Sequence, residues 1–335
     1  MTRLLSSRNC LGMLFAILAV LPMIANLYVT FIGNLALIYI VLSLGLNLLI
    51  GNAGQFALAH AAMYGIGAYA TGLLKVDAGL PYFIAAPAGA LAACAIGTLL
   101  ALPALRLSGI YLALATLAFA QAAVWVFGHW DAVTYGAAGF SIPPVNFSPL
   151  PLRPELGMYY LSWLVALLLL VFAWNLVRSR LGRALIAMRD NEVAAQALGI
   201  NLLRHKAIAF ALSGFYAGAA GALYAGVLNF VSPEGFGLFQ LVIIKAMIVV
   251  GGLGYVAGSV FGAVLLVVLL EAVRDLPSLQ EIAFGLVLLS FMLLLPQGLV
   301  GSLRRRFPGW DEPRHVSKAA VSRILKAPAV VEVGR

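Results

Sequence analysis

Asn52, Gln55 and His60 share one ten-residue stretch, GNAGQFALAH (51–60), set between two apolar runs and among glycines at 51, 54, 65 and 67. Such side chains can hydrogen-bond a neutral solute, and at membrane depth they need partners within the protein. Asn47 precedes them and Tyr64 follows. A second stretch, VVGGLGYVAGSVFGAVLL (249–266), has the same manner. Gly51-Asn52-Ala53-Gly54-Gln55 and Gly251-Gly252-Leu253-Gly254-Tyr255 each follow an apolar run and precede closely spaced Gly and Ala. Either stretch alone also suits tight helix packing. Their pairing points to helix breaks at Gly51, Gly54, Gly251, Gly252 and Gly254, and to a weak internal repeat. Broken membrane helices are tolerated where they line cavities, and in transporters such breaks form substrate sites. The pathway set is therefore Asn47, Asn52, Gln55, His60, Tyr64 and Lys245.

Lys245 is the one charge well inside an expected helix. At the bilayer centre it would cost roughly 2.5–3.5 kcal/mol, so it faces the bundle interior or snorkels to an interface as a structural lysine. Catalytic signatures are missing. The sequence has no HExxH, no GxSxG and no Gly-Lys-Ser/Thr, and its four histidines are scattered. Cys10 and Cys94 are far apart, so neither a metal site nor a disulfide framework is expected.

The elements that must position these residues follow from composition. The 335 residues are 63% hydrophobic and 10% charged, whereas soluble domains are about half apolar and a quarter charged. Apolar stretches of about 17 to 25 residues recur, the length a helix needs to cross a bilayer. The fold class is all-α: a polytopic transmembrane helical bundle with about eight to ten spans. Candidate spans are 11–32, 35–50, 55–74, 82–102, 110–128, 158–177, 207–229, 238–256, 258–275 and 281–300. A permease domain over 1–303 and a basic tail over 304–335 divide the chain.

Lys and Arg in the loops set the orientation. With the N-terminus inside, the inner segments collect Arg3, Arg8, Arg106, Arg178, Arg180, Arg183, Arg189, Arg204, Lys206 and the tail. The outer ones hold Lys75, Arg153 and Arg274. Both termini are then cytoplasmic, and the net charge of +9 is a topology signal. Nucleic acid is not an expected partner, because no soluble basic domain with stacking aromatics is present. The outer loop 129–157 reads as a connector or as part of a docking face. The inner loop 178–206 reads as helical, with Asp190 or Asn191 capping a second short helix from Glu192. Its amphipathic character calls for lipid headgroups or a partner protein to pack on.

Three blocks carry a family resemblance: GNAGQFALAHAAMYGIGAYATGLL (51–74), SRLGRALIAMRDNEVAAQALGINLLRHKAIAFALSGFYAGAAGALYA (179–225), and IVVGGLGYVAGSVFGAVLL (248–266) with PQGLVG at 296–301. The chain resembles LivM-type permease subunits of branched-chain amino-acid ABC importers. That resemblance implies a multi-pass protein of the bacterial inner membrane that moves branched-chain or similar apolar amino acids inward. It implies a homologous second permease, two ATPase subunits and a periplasmic substrate-binding protein as partners, besides the lipid bilayer. No cofactor is bound by this chain; ATP and Mg belong to the ATPase subunits.

The resemblance also assigns 178–206 the coupling to the ATPase. Arg189, Asp190, Glu192, Ala194, Ala195 and Gly199 are the expected coupling residues: small ones permit close approach, and Arg189 and Glu192 make charged rim contacts. Val193 stands where the general importer motif has Glu, and no Leu-Pro follows at the usual distance. The competing reading is a self-sufficient secondary carrier or channel for a small neutral solute, with Lys245 and Glu271 as ion-coupling candidates. An integral-membrane enzyme is a third, weakened by the missing catalytic cluster.

Overall fold

In a computed structural model the described residues are 7–147, 153–274, 285–286, 288–291, 293–295 and 298–306. They form a helical membrane bundle. The helices are α1 (Ser7–Ile24), α2 (Leu27–Asn47), α3 (His60–Val76), α4 (Tyr82–Arg106), α5 (Gly109–His129), a short α6 (Asp131–Thr134) and α7 (Pro154–Arg178). Then follow α8 (Arg180–Asp190), α9 (Glu192–Ala197), α10 (Leu202–Leu228), α11 (Leu238–Gly251) and α12 (Val256–Ala272), with a later helix over Gly298–Arg306. Among the described residues six segments are long and apolar enough to span a bilayer: 27–52, 82–106, 109–129, 154–178, 202–228 and 233–251. Helices over 9–24 and 256–272 are apolar but shorter.

Several boundaries differ from the sequence expectation. The run expected at 11–32 is divided: α1 ends at Ile24 and α2 starts at Leu27, so the span expected from 35 begins earlier. Pro22 lies in the last turn of α1, where it removes a backbone donor. Asn26 then adopts an extended conformation and resets the chain. The span expected from residue 55 starts at His60, leaving 53–59 outside any helix. α10 begins at Leu202 because Asn201 caps it, its side-chain oxygen accepting from the Arg204 amide at 3.0 Å. The tail beyond Arg306 lies outside the described residues, and the expected tenth span is described only in part.

Small residues set the packing. α3, α4 and α10 meet so closely that a Cβ on Gly67 would come within 2.4 Å of Gly218 Cα. This is the small-residue mode by which apolar helices associate where lipid is as apolar as they are. Arg106, Arg178, Arg180, Arg183, Arg189 and Arg204 gather at one end of the bundle, called here the arginine-rich end. At the opposite end a two-residue strand, Phe140–Ser141, pairs antiparallel with Phe230–Val231, with Phe140 opposite Val231.

Candidate functional site

The two glycine stretches meet at the arginine-rich end. α2 widens into a π-helical turn over Leu48–Asn52, and α11 stops at Gly251. The turn 252–255 then packs on the widened turn. Gly51 makes this approach feasible, since a Cβ there would stand 2.4 Å from the Gly254 nitrogen. Gly252 and Gly254 hold φ of +119° and +81°, which L side chains rarely adopt.

Asn47 fastens the contact. Its Nδ2 donates to the Tyr255 carbonyl at 2.9 Å, and its Oδ1 accepts from the Gly254 amide at 2.8 Å. Asn52 Nδ2 donates to Gly254 O at 3.4 Å, and Ser43 Oγ to Ser259 O at 3.0 Å. The bonds of Asn47 and Asn52 with Gly254 thus satisfy backbone groups that the helix break leaves without ladder partners.

The 178–206 segment closes over the break. It folds as α8 and α9, joined by Asn191, whose side chain accepts from the Ala194 amide at 3.0 Å and caps α9. Of the two expected caps, Asn191 is the one used. α9 ends in a Schellman turn: Gly199 N donates to Gln196 O at 2.9 Å and Ile200 N to Ala195 O at 3.0 Å, with Gly199 at φ +83°. Gly199 is therefore a helix stop, a role not expected for it from the sequence, where it counts among the coupling residues.

Arg189 reaches the break directly. Its Nη1 donates to Gly51 O at 2.8 Å, and the guanidinium also pairs with Asp190 at 3.0 Å. Gly54, at φ +70°, lies against the Arg189 backbone. Glu192 turns inward. Its carboxylate accepts from Gln55 Nε2 at 3.1 Å and pairs with Lys206 Nζ at 2.9 Å. Lys206 is buried and also donates to Ala104 O at 3.3 Å. Ala195 is buried against the bundle, whereas Ala194 and Gly199 are exposed. Facing outward with them are Val193 and Leu198, 78% and 81% exposed.

The expected pathway residues do not converge on one surface. Asn47 and Asn52 serve the 252–255 turn, and Gln55 serves Glu192. His60 sits between Ser213 Oγ and Leu42 O, each at 2.9 Å, which occupies both ring nitrogens. Tyr64 packs edge-on against Tyr224 and Phe236, with centroids 5.3 and 5.2 Å apart. Lys245 lies over the Phe56 ring at 4.2 Å, half-exposed on α11. Glu271 accepts from the Tyr28 hydroxyl and pairs with Arg274 at 3.2 Å at the far rim. Lys206 and Ser213 were missed in the sequence. Lys206 counted there only as a loop charge, and nothing local announces that it is paired within the fold.

The family model for the permease component of branched-chain amino acid transport systems matches residues 28–295. The high-affinity branched-chain amino acid permease protein LivM of Escherichia coli K12 is 36% identical over 298 residues, 82% of this chain and 70% of that protein. Its counterpart in Salmonella typhimurium is 35% identical over the same shares. The ribose import permease RbsC of Haemophilus influenzae is 28% identical over 83% of this chain and 85% of its own. No solved structure matches. Two helix breaks locked to each other, and a capped helical loop bonded to the first of them, are thus features of a recognised permease, and the chain belongs to the permease components of branched-chain amino acid transport systems.

Proposed function

We propose that this chain is the membrane-spanning subunit of an ATP-driven importer that carries branched-chain or similar apolar amino acids across the bacterial inner membrane. It works with a homologous second permease, two ATPase subunits and a periplasmic binding protein; ATP and Mg are bound by the ATPases. The arginine-rich end faces the cytoplasm, in keeping with the positive-inside rule. α9 is the element that docks on an ATPase.

The observation that carries this reading is the outward face of α9. Val193 and Leu198 are large apolar side chains left exposed beside Ala194 and Gly199, on a helix whose inner face is already occupied. Apolar anchors flanked by small residues suit insertion into a groove on a partner protein. Closure of the ATPase pair would push α9 against the two helix breaks and open the pathway. Asn47 and Asn52 would act there by holding the broken backbone, Gln55 by its bond to Glu192, His60 by joining α2 to α10, Tyr64 through its aromatic packing, and Lys245 by lining the route. A neutral passage fits a cycle in which selectivity rests with the binding protein and energy with ATP.

The test is gentle extraction of the tagged chain from its native membrane, with its companions identified. Two ATPase chains and a second permease should accompany the wild type, and Leu198→Asp should reduce ATPase recovery by roughly tenfold, as loss of an interface anchor does. A single species that takes up leucine into vesicles without ATP would overturn the reading and leave the carrier alternative, with Lys245 and Glu271 as its residues.

A further inference from the structure

We infer that Gln55, Glu192 and Lys206 form a joint that delivers the movement of α9 to the helix break at 48–59, making Gln55 and Lys206 positioning residues of the transport cycle. The inference rests on α9 being the ATPase-docking element.

The joint follows from what holds α9. A helix of six residues has no stability of its own, because nucleation outweighs so few hydrogen bonds. α9 is held by its cap, by Ala195 against the bundle, and by the Glu192 carboxylate. That carboxylate spans two elements of unequal stiffness. Lys206 belongs to α10, whose glycines press backbone to backbone on α3 and α4, and its ammonium is tied further to Ala104 O of α4. Gln55 belongs to 53–59, which lies outside any helix and is tied down by a few bonds only, among them the Gly54 and Gln55 amides on Ile50 O and Leu49 O and the Leu58 amide on Thr116 Oγ1. Charge-assisted contacts to Glu192 are roughly twice as strong as neutral ones, so they persist while softer elements move. When α9 shifts, the segment that yields is therefore 53–59.

The consequence reaches both breaks. Gln55 stands between Asn52, which holds Gly254 O, and His60, where α3 begins. Displacing Gln55 displaces the start of α3 and the contact with the 252–255 turn together. Arg189, bonded to Gly51 O, keeps the α8 side of the loop in register during that motion.

Two variants of the full transporter test this, reconstituted in vesicles with the loaded binding protein. Radiolabelled leucine uptake is measured per ATP hydrolysed. In E192Q/K206M both charges are removed, so no unpaired ammonium is left buried. In Gln55→Met the ion pair stays, and the bond to Glu192 is lost together with a longer local one of 3.4 Å to Ala53 O, at similar side-chain length.

Uptake per ATP should fall roughly tenfold in the double variant and roughly threefold in Gln55→Met, in proportion to the bonds removed. Wild-type uptake per ATP in Gln55→Met overturns the joint, and if the double variant then merely loses ATPase chains, the cluster serves assembly alone. A wild-type complex without ATPase chains would instead remove the functional reading beneath the joint.

Discussion

The two ends of the bundle hold themselves together in opposite ways. At the arginine-rich end, Asn47, Asn52, Gln55 and Lys206 are each at most 4% exposed and bond to segments far away in sequence. At the other end, Tyr28 with Glu271 and Arg274, Tyr135 with Asp77, and Lys75 with Pro143 O are linked on surfaces that water reaches. A cavity of about 230 Å³ opens there, lined by Thr30, Asn34, Glu155 and Asn229 among apolar neighbours. Buried polar contacts have no water to replace them and so keep fixed partners. Solvated ones exchange partners at little cost. The first end is built to transmit a displacement; the second can yield to whatever docks on it.

The largest expected effect sets one glycine against another. In Gly51→Ala the new Cβ would meet Asn47 Oδ1 at 2.1 Å and the Gly254 nitrogen at 2.4 Å. The breaks must separate and their hydrogen bonds loosen, a cost of about 3 kcal/mol with loss of uptake. Gly79→Ala at the opposite end meets nothing within 4 Å and carries only the strain of φ +62°, about 1 kcal/mol. Thermal melts of the two proteins in detergent give the comparison. Equal shifts would mean that the breaks are not locked.

A middle-sized effect comes from Asn47→Ala. It leaves the Gly254 amide without its partner and takes one of two bonds from the Tyr255 carbonyl, which still accepts from the Ser259 amide at 3.3 Å, a cost of about 1–2 kcal/mol. Tyr135→Phe removes a comparable bond, 2.5 Å to Asp77, but at a surface where water takes its place. The melting temperature should fall in the first and stay put in the second. A fall in both would place a hidden structural core at the far end too.

The sequence made the bundle legible because membrane helices are written in composition and the arginines mark an end. The chain leaves its helices at 53–59 and 252–255, within or just after the two glycine stretches, where only glycine suits the φ of Gly54, Gly252 and Gly254 and the close approach at Gly51. Asn191, one of the two caps expected, marked the start of α9 through ordinary capping chemistry, whereas Gly199 suggested close approach and not the stop it is. What stayed hidden was pairing across the fold. Gln55 and His60 look alike as polar residues in an apolar run, yet one holds a helix outside the bundle and the other is enclosed between α2 and α10. Nothing periodic distinguishes them, because each partner is supplied by a remote segment. The division of 11–32 was also missed, since the apolar residues on either side of Asn26 hid the break that Pro22 and Asn26 make.

The smallest effect tests the opposite end on its own terms. Arg274 pairs with Glu271 three residues before it and lies 5.5 Å from the Tyr28 ring centroid, all at an exposed rim. Water and salt already screen such a pair, so Arg274→Ala and Glu271→Gln should leave the melting temperature unchanged. Uptake at saturating binding protein should also persist, because in an importer neither side chain carries an ion across. The effect should appear only when binding protein is limiting and salt is low, where a rim charge changes the rate of encounter. Loss of uptake at every concentration would make Glu271 part of the transport cycle itself. The far end would then no longer be a yielding surface, and the contrast between the two ends would fail where it is weakest.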